Sequence, residues 1–369
     1  MRLASFNVEN LFDRAKALNG DTWAEGKPVL ERFAKLNQLL GELNYTPARK
    51  QTMVGLMKGL GLENSDTGEY VLLRQNRGAL VKRPRSGGLE IVAEGRADWA
   101  GTLELRDEPV DEVAMRNTAR VMTEVGADIL AVVEAESRPV LSAFNQQIVS
   151  SVGGDPFSYV MVIDGNDERG IDVGALSRSS CSIGLMRSHV DDVGQDGKPI
   201  FSRDCPEFEL VVNGKSLWVL VNHFKSKGYG TPTSSNARRK AQAQRVKEIY
   251  EGLRARGEDR IAIVGDLNDT PDSDPLAPLL KRTDLQDISQ HDTFDDGGYP
   301  GTYGSCGPSN KIDYILLSPA LFAKVTAGGV LRKGMWPGVR PKKWDVFDEL
   351  KTEHQAASDH AALWADIDL

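Results

Sequence analysis

The sequence predicts an α/β protein built of two packed sheets flanked by helices. Three observations predict it. Short apolar, β-branched runs bounded by turn residues recur along the chain. Several of these runs are apolar almost throughout, as strands covered on both faces are. A few amphipathic helices lie between them, the mixture from which layered sheets and helices are made.

The expected strands are residues 3–8, 129–133, 159–163, 172–176, 208–212, 217–221, 261–264, 314–317 and 361–367. Two helices are clear. The first runs from about residue 111 to 125: Val110, Ala114, Val121 and Val125 share a face, and Gly126 supplies a stop. The second runs from about residue 235 to 256, with Ala241, Val246, Ile249 and Leu253 as its apolar stripe and Gly257 after it. Residues 14–108 stand apart, as an insertion after the first strand of one domain spanning residues 1–369. Helical segments are expected there near 29–43 and 48–60, followed by hairpin-like runs at 70–73, 79–82, 89–93 and 102–105. Arg74, Arg77, Lys82, Arg83 and Arg85 form a basic cluster with no acid among them. It reads equally as a solvated hairpin face and as a contact for a phosphate backbone.

Composition narrows the field. The 369 residues suffice for one large domain or two small ones. No apolar run approaches the ~20 residues needed to span a bilayer. Residues 1–6 read as the start of a strand rather than as a signal peptide. Cys181, Cys205 and Cys306 are odd in number and form no C-x-x-C pair, which fits a reducing, cytoplasmic setting. A net charge of -8 argues against a large basic surface. It leaves room for a metal-dependent nuclease, whose centre needs carboxylates and whose basic residues are local.

Polar residues gather at strand ends, where loops present functional groups on a rigid scaffold. Asn7-Val8-Glu9-Asn10 follows the first strand, and Glu134 follows the second. Arg169-Gly170-Ile171-Asp172 opens a strand, and Asn222-His223-Phe224-Lys225-Ser226-Lys227 closes one. Gly265-Asp266-Leu267-Asn268-Asp269, Lys311-Ile312-Asp313-Tyr314 and Ser358-Asp359-His360 complete the set. Singly, each is a turn former or a surface residue. Together they are a set of carboxylates, amides and two histidines placed for joint work.

In this order the blocks S-F-N-V-E-N, D-I-L-A-V-V-E, R-G-I-D-V, N-H-F-K-S-K, G-D-L-N-D, K-I-D-Y-I-L and S-D-H resemble the motif series of the endonuclease/exonuclease/phosphatase superfamily, which includes deoxyribonuclease I and exonuclease III. The resemblance spans nearly all of the chain outside the insertion. It implies a four-layer α/β/β/α sandwich of two packed mixed sheets, with the active site at one end of them. It further implies that Glu134, with Asn7 and Asp359, binds a divalent cation, Mg²⁺ or Mn²⁺. Asp266 would orient or deprotonate the attacking water, and Asn268 would hold phosphate or metal. His360 would contact the scissile phosphate, with Asp313 fixing its tautomer. His223 would be the second histidine and the acid for the leaving oxygen, with Glu136 and Asp172 as candidate carboxylate partners. Arg169, Asn222 and Lys225 would bind substrate.

The chemistry suits these residue types. Attack on a phosphodiester builds negative charge, which a hard cation on carboxylate oxygens stabilises and to which histidine and arginine donate charge-assisted hydrogen bonds. No serine or cysteine stands in a nucleophile motif. The reading is a metal-dependent phosphodiesterase, a nuclease on DNA or RNA, needing neither membrane nor obligate protein partner. The alternative is an enzyme for a small or lipid head-group phosphate ester. A non-catalytic module of the same fold is disfavoured, since every expected site residue is present. The sequence departs from simpler members in the insertion and in the long stretch between Asp313 and His360, where Trp336 and Trp344 read as packing residues.

Overall fold

The side chains of strand β1 (Arg2–Leu11) alternate between two cores: Leu3 enters one, and Ala4, Phe6 and Val8 enter another. That period-two division is what a strand covered on both faces requires. The structure, a computed structural model, describes residues 1–11, 23–106, 111–167, 170–227, 231–339 and 342–369. The chain divides into two compact units, residues 13–110 and residues 1–12 with 111–369.

The unit of residues 13–110 contains helices α1 (Trp23–Leu40) and α2 (Pro47–Gly59) and strands β2 (Val71–Arg77), β3 (Val81–Lys82), β4 (Glu90–Ile91) and β5 (Ala100–Leu105). Its core is its own, with Leu36, Met53, Met57, Leu62, Val71 and Trp99 all buried. The Trp99 indole donates to the Tyr45 hydroxyl at 3.0 Å, and that hydroxyl donates to the Leu40 carbonyl at 2.7 Å. The pairing is nested rather than sequential: β2 pairs with β5, and β3 with β4 between them. The basic cluster is partly spent inside the unit. Arg74 pairs with Glu104 at 2.7 Å, and Arg83 pairs with Asp66 at 2.8 Å while donating to the carbonyls of Leu62, Glu63 and Ser65. Arg77, Lys82 and Arg85 remain exposed.

In the larger unit β1 is followed by helix α3 (Glu112–Val125), β6 (Ile129–Ala135), α4 (Arg138–Phe144), β7 (Tyr159–Ile163), β8 (Asp172–Ser177), β9 (Cys181–Arg187), β10 (Glu207–Val212), β11 (Lys215–His223) and α5 (Pro232–Ala255). Then come β12 (Ile261–Asp266), α6 (Ala277–Leu280), β13 (Gln286–Asp287), β14 (Phe294–Asp295), β15 (Asp313–Leu317), α7 (Pro319–Phe322), β16 (Val325–Leu331) and β17 (Ala362–Ile367). One sheet runs β14-β16-β17-β1-β6-β8-β7 and the other β13-β15-β12-β11-β10-β9. Both are mixed: β1 and β6 are parallel, as are β11 and β12, and β1 and β17 are antiparallel. Ile129, Val173, Val219, Val264, Ile315 and Leu363 fill the layer between the sheets. Each such side chain contributes about 1.5–3 kcal/mol on burial. Helices α3 and α4 cover the outer face of one sheet, and α5 covers the other. This is the expected four-layer α/β/β/α sandwich.

Helix α3 begins as its sequence predicts, with the Asp111 side chain accepting from Val113 N–H at 2.7 Å, and Gly126 ends it at φ +61°. Helix α5 starts earlier than expected, at Pro232, because Thr231 and Ser234 form a capping box. Its stripe also differs. Ala241 is exposed, and Arg239 and Gln242 are buried in its place. Strands β9 and β16 lie outside the predicted set. In β16, Gly328 and Gly329 serve packing: a Cβ at either would stand 3.0 Å from Ile288 or Trp364. Among the described residues, no helix is long and apolar enough to cross a membrane.

Candidate active site

Strand register assembles the site. Across β11, β12 and β15 the Cα partners are His223 with Asp266 and Asp266 with Asp313. Val221, Val264 and Ile315, two residues away on each strand, line the layer between the sheets. Period two therefore puts His223, Asp266 and Asp313 on that same face, at its end. From the other sheet, Asn7 follows Leu3 and Ser5 on the inner face of β1. His360 precedes β17 and bridges to Tyr303.

Glu134 arrives by a different device. Leu130 and Val132 face the outer core, and simple alternation would send Glu134 after them. Instead the pairing shifts register between Val133 and Ala135, Glu134 takes φ +65°, and Ala135 turns outward. The extra residue re-aims the carboxylate toward Asn7. Glu9 at φ +50° and Asn268 at φ +54° are likewise left-handed. Such conformations cost about 1–3 kcal/mol each and gather where function fixes the backbone. Gly265 has the opposite need. Its φ is +124°, and a Cβ there would lie 2.0 Å from the Asn222 carbonyl oxygen.

Asn7 is the hub. Its Nδ2 donates to Glu134 Oε1 at 3.2 Å and to Asp266 Oδ2 at 3.4 Å, and lies 3.5 Å from His360 Nε2. Its Oδ1 accepts from Glu9 N–H at 3.0 Å. Asp266 accepts from Asn268 N–H at 2.8 Å and from Asn268 Nδ2 at 2.9 Å. His223 Nε2 stands 3.5 Å from Glu134 and 3.7 Å from Asp266. His360 Nδ1 meets Asp313 at 2.9 Å, and the Thr302 hydroxyl donates to the same carboxylate at 2.6 Å.

Burial and the Asp313 charge push the Asp266 carboxyl up to about 7, against the pull of His360. Burial lowers the His360 pKa, but the charge and hydrogen bond of Asp313, with Asp359 and Asp266, outweigh it and hold the imidazole well above its usual range. The Asp266 shift has a consequence for stability without a cation. A carboxyl whose pKa is higher in the folded state holds its proton more tightly there, so its contribution falls as pH rises from ~4 toward neutrality. The Tm of the EDTA-treated protein should therefore drop across this interval relative to Asp266→Asn. A Tm difference between the two that stays constant from about pH 4.5 to about pH 8 would contradict it.

Asn7, Glu134, His223, Asp266, Asn268, Asp313 and His360 come together. Asp359 flanks them, its carboxylate 3.7 Å from His360 Nε2 and 41% exposed. Asn222 does not join. It points to the other side of β11, fully buried, and donates to the Leu220 carbonyl at 3.2 Å, because strand alternation turns it away when it turns His223 in. Lys225 is half-buried, and its backbone is bound to Gln242 and Arg239. Arg169 lies outside the described residues, as does the insertion's start. Among the described residues, Glu134 and Asp266 approach His223 Nε2. Asp172 accepts instead from Gly165 N–H at 2.7 Å, and burial raises its pKa to about 6. Sequence reasoning gave no role to Glu9, which accepts from Asp359 N–H at 2.9 Å, nor to Tyr303, whose ring lies 4.8 Å from that of His360. Trp344 packs edge-on against Tyr299, as a packing residue does.

A divalent cation fits this site. Buried carboxylates converge, and a cation would offset both the burial and the Asp313 charge that raise the Asp266 pKa. Asp266, Asp313 and His360 offer ligand atoms within 4.8 Å of one another. Asp313 and His360 already spend theirs on each other, so the Glu134 and Asp266 carboxylates, joined through Asn7, are the better cradle. Asn7, expected to help bind the cation, turns its nitrogen toward the carboxylates and its oxygen accepts from Glu9 N–H, an arrangement in which it positions Glu134.

Residues 108–360 match the family described as Endonuclease/Exonuclease/phosphatase family. No curated protein matches the chain by sequence. Among solved structures, the chain is similar to the mannosyl-6-phosphatase Bt3783 of Bacteroides thetaiotaomicron VPI-5482, at TM-score 0.52 and 17% identity over 70% of this chain and 92% of that one. A second protein of Bacteroides thetaiotaomicron, titled as an endonuclease/exonuclease/phosphatase family protein, gives TM-score 0.51 and 16% identity over 70% and 90%. One from Bacteroides vulgatus gives 0.50 and 15% over 70% and 91%. At such identities the likeness is one of fold.

Proposed function

Because the chain belongs to the Endonuclease/Exonuclease/phosphatase family, whose members hydrolyse phosphoesters, we propose that it is a divalent-metal-dependent phosphodiesterase acting on nucleic acid. The observation that supports this reading most is the placement of Asp266, buried between two imidazoles and 3.4 Å from the Asn7 amide that also holds Glu134. A carboxylate there is placed to orient the attacking water and accept its proton. His360, kept protonated by Asp313, directs its Nε2–H at a phosphate oxygen. His223 stands on the other side of Asp266 to give a proton to the departing oxygen. Asn268 orients Asp266 through two hydrogen bonds. Glu134 and Asp266 would hold Mg²⁺ or Mn²⁺, which when bound neutralises charge developing on the phosphate.

A small phosphate ester is the second reading. It is favoured by the ion pairs of Arg74 and Arg83, which leave fewer cations to grip a polyanion. Purified protein with Mg²⁺ or Mn²⁺ against plasmid, single-stranded DNA, RNA and an aryl phosphodiester separates the two. A nuclease degrades at least one polymer faster than the aryl ester.

The remaining exposed cations give a sharper test. With Arg77, Lys82 and Arg85 changed to alanine, polynucleotide affinity should weaken uniformly across sequences. The slope of log K against log salt should flatten by about 0.7–0.9 per lost phosphate contact. Hydrolysis of the aryl ester should not change. Arg83 is left intact because it holds three carbonyls of its own unit. An unchanged salt slope would favour the small-ester reading.

A further inference from the structure

We infer that Arg239 and Asp269 are a positioning pair that fixes the loop after His223 against the loop carrying Asn268; the inference rests on the phosphodiesterase reading above. Arg239 lies in α5 and is 1% exposed, although its charge favours water. Its guanidinium reaches two loops and its own helix at once. Nε donates to Asp269 Oδ2 at 3.1 Å, Nη1 donates to the Lys225 carbonyl at 2.8 Å, and Nη2 donates to Asn236 Oδ1. Gln242, one turn along the helix, accepts from Lys225 N–H at 2.9 Å, so both backbone groups of Lys225 are held.

Asp269 is held as firmly. It pairs with Lys227 at 2.7 Å, accepts from Thr270 N–H at 3.0 Å, and its carbonyl accepts from the Tyr314 hydroxyl at 2.7 Å. Lys225 is two residues beyond His223, and Asp269 is one beyond Asn268. The loops leave adjacent parallel strands and are already joined in front of the pair, where Asn268 Nδ2 donates to the Phe224 carbonyl at 3.2 Å. The guanidinium joins them behind it. A buried ion pair is weak support for stability, because desolvation offsets its attraction. A rigid fork spanning two loops does supply direction, and a lysine cannot reproduce it. Catalytic groups need such support, since a displacement of about 1 Å costs on the order of 10²-fold in rate.

The test uses the full chain with Arg239→Met, Arg239→Lys and Asp269→Asn. Two readouts are taken: the imidazole NMR resonances of His223 and His360 without cation, and kcat and KM on the aryl phosphodiester with Mg²⁺. Arg239→Met should lower kcat by roughly 10–100-fold with KM within about twofold. Arg239→Lys should recover little of it. The His223 resonances should move or broaden, while those of His360, held by Asp313, stay in place. Unchanged His223 resonances in the folded variants overturn the inference, as does equal movement of both histidines, which marks general loosening. If Arg239→Met fails to fold, the other two variants decide. If the parent hydrolyses no ester, the phosphodiesterase reading fails, and the imidazole comparison still decides whether the pair positions His223.

Discussion

Replacing Asp266 with asparagine is expected to lower kcat by about 10²–10⁴-fold, the usual contribution of a general base. An amide is close in shape but cannot accept the proton of water. The fold should survive. Asn268 N–H still finds an oxygen where Asp266 Oδ1 lies, and the lost charge removes repulsion from Asp313 and Glu134. The change does set the new amide N–H groups against the donors Asn7 Nδ2 and Asn268 Nδ2, so Tm and circular dichroism should accompany the kinetics. A folded Asp266→Asn that turns over at near-parental rate in Mg²⁺ would show that another group activates the water.

Chelation with EDTA is expected to abolish hydrolysis, and Glu134→Gln to raise the Mg²⁺ needed for half-maximal rate. Partners that merely orient a metal ligand are worth about 10–100-fold in affinity, so loss of a direct carboxylate should cost at least that. Glutamine is the informative replacement. It keeps the length that reaches Asn7 and asks the same of a backbone at φ +65°. Alanine would confound metal loss with relaxation of that turn. Titrating Mg²⁺ against rate for both proteins measures the effect. Full activity in EDTA would reject the metal mechanism.

Most of the layered architecture is legible in the sequence, because strands covered on both faces are written as apolar runs. The exceptions have physical causes. Strand β9 edges its sheet and mixes Ser182, Gly184 and Arg187 with apolar residues. In β16 the two glycines exist to admit Ile288 and Trp364, a demand set by residues distant in sequence. The candidate site divides the same way. Motif spacing singles out Asp266, His223, Asp313 and His360, since register brings them side by side. It mistakes Asn222, where alternation decides, and cannot foresee the bulge that turns Glu134 inward. Thr302 and Tyr303 come from a loop with no strand signal, and the buried Arg239 looks like any helix-surface arginine. The basic cluster likewise looks unopposed until Glu104 and Asp66 fold back on it.

Strand β1 sits in the middle of the seven-stranded sheet, between β6 and β17. Arg2 is registered with Asp366, a residue made long after it. At about 5–20 residues per second of synthesis, the interval between them is roughly 20–70 s. During that time one side of β1 presents unpaired backbone groups beside apolar side chains, the arrangement that recruits foreign strands. Closure of this sheet on that side of β1 therefore waits until residues 362–367 have been made.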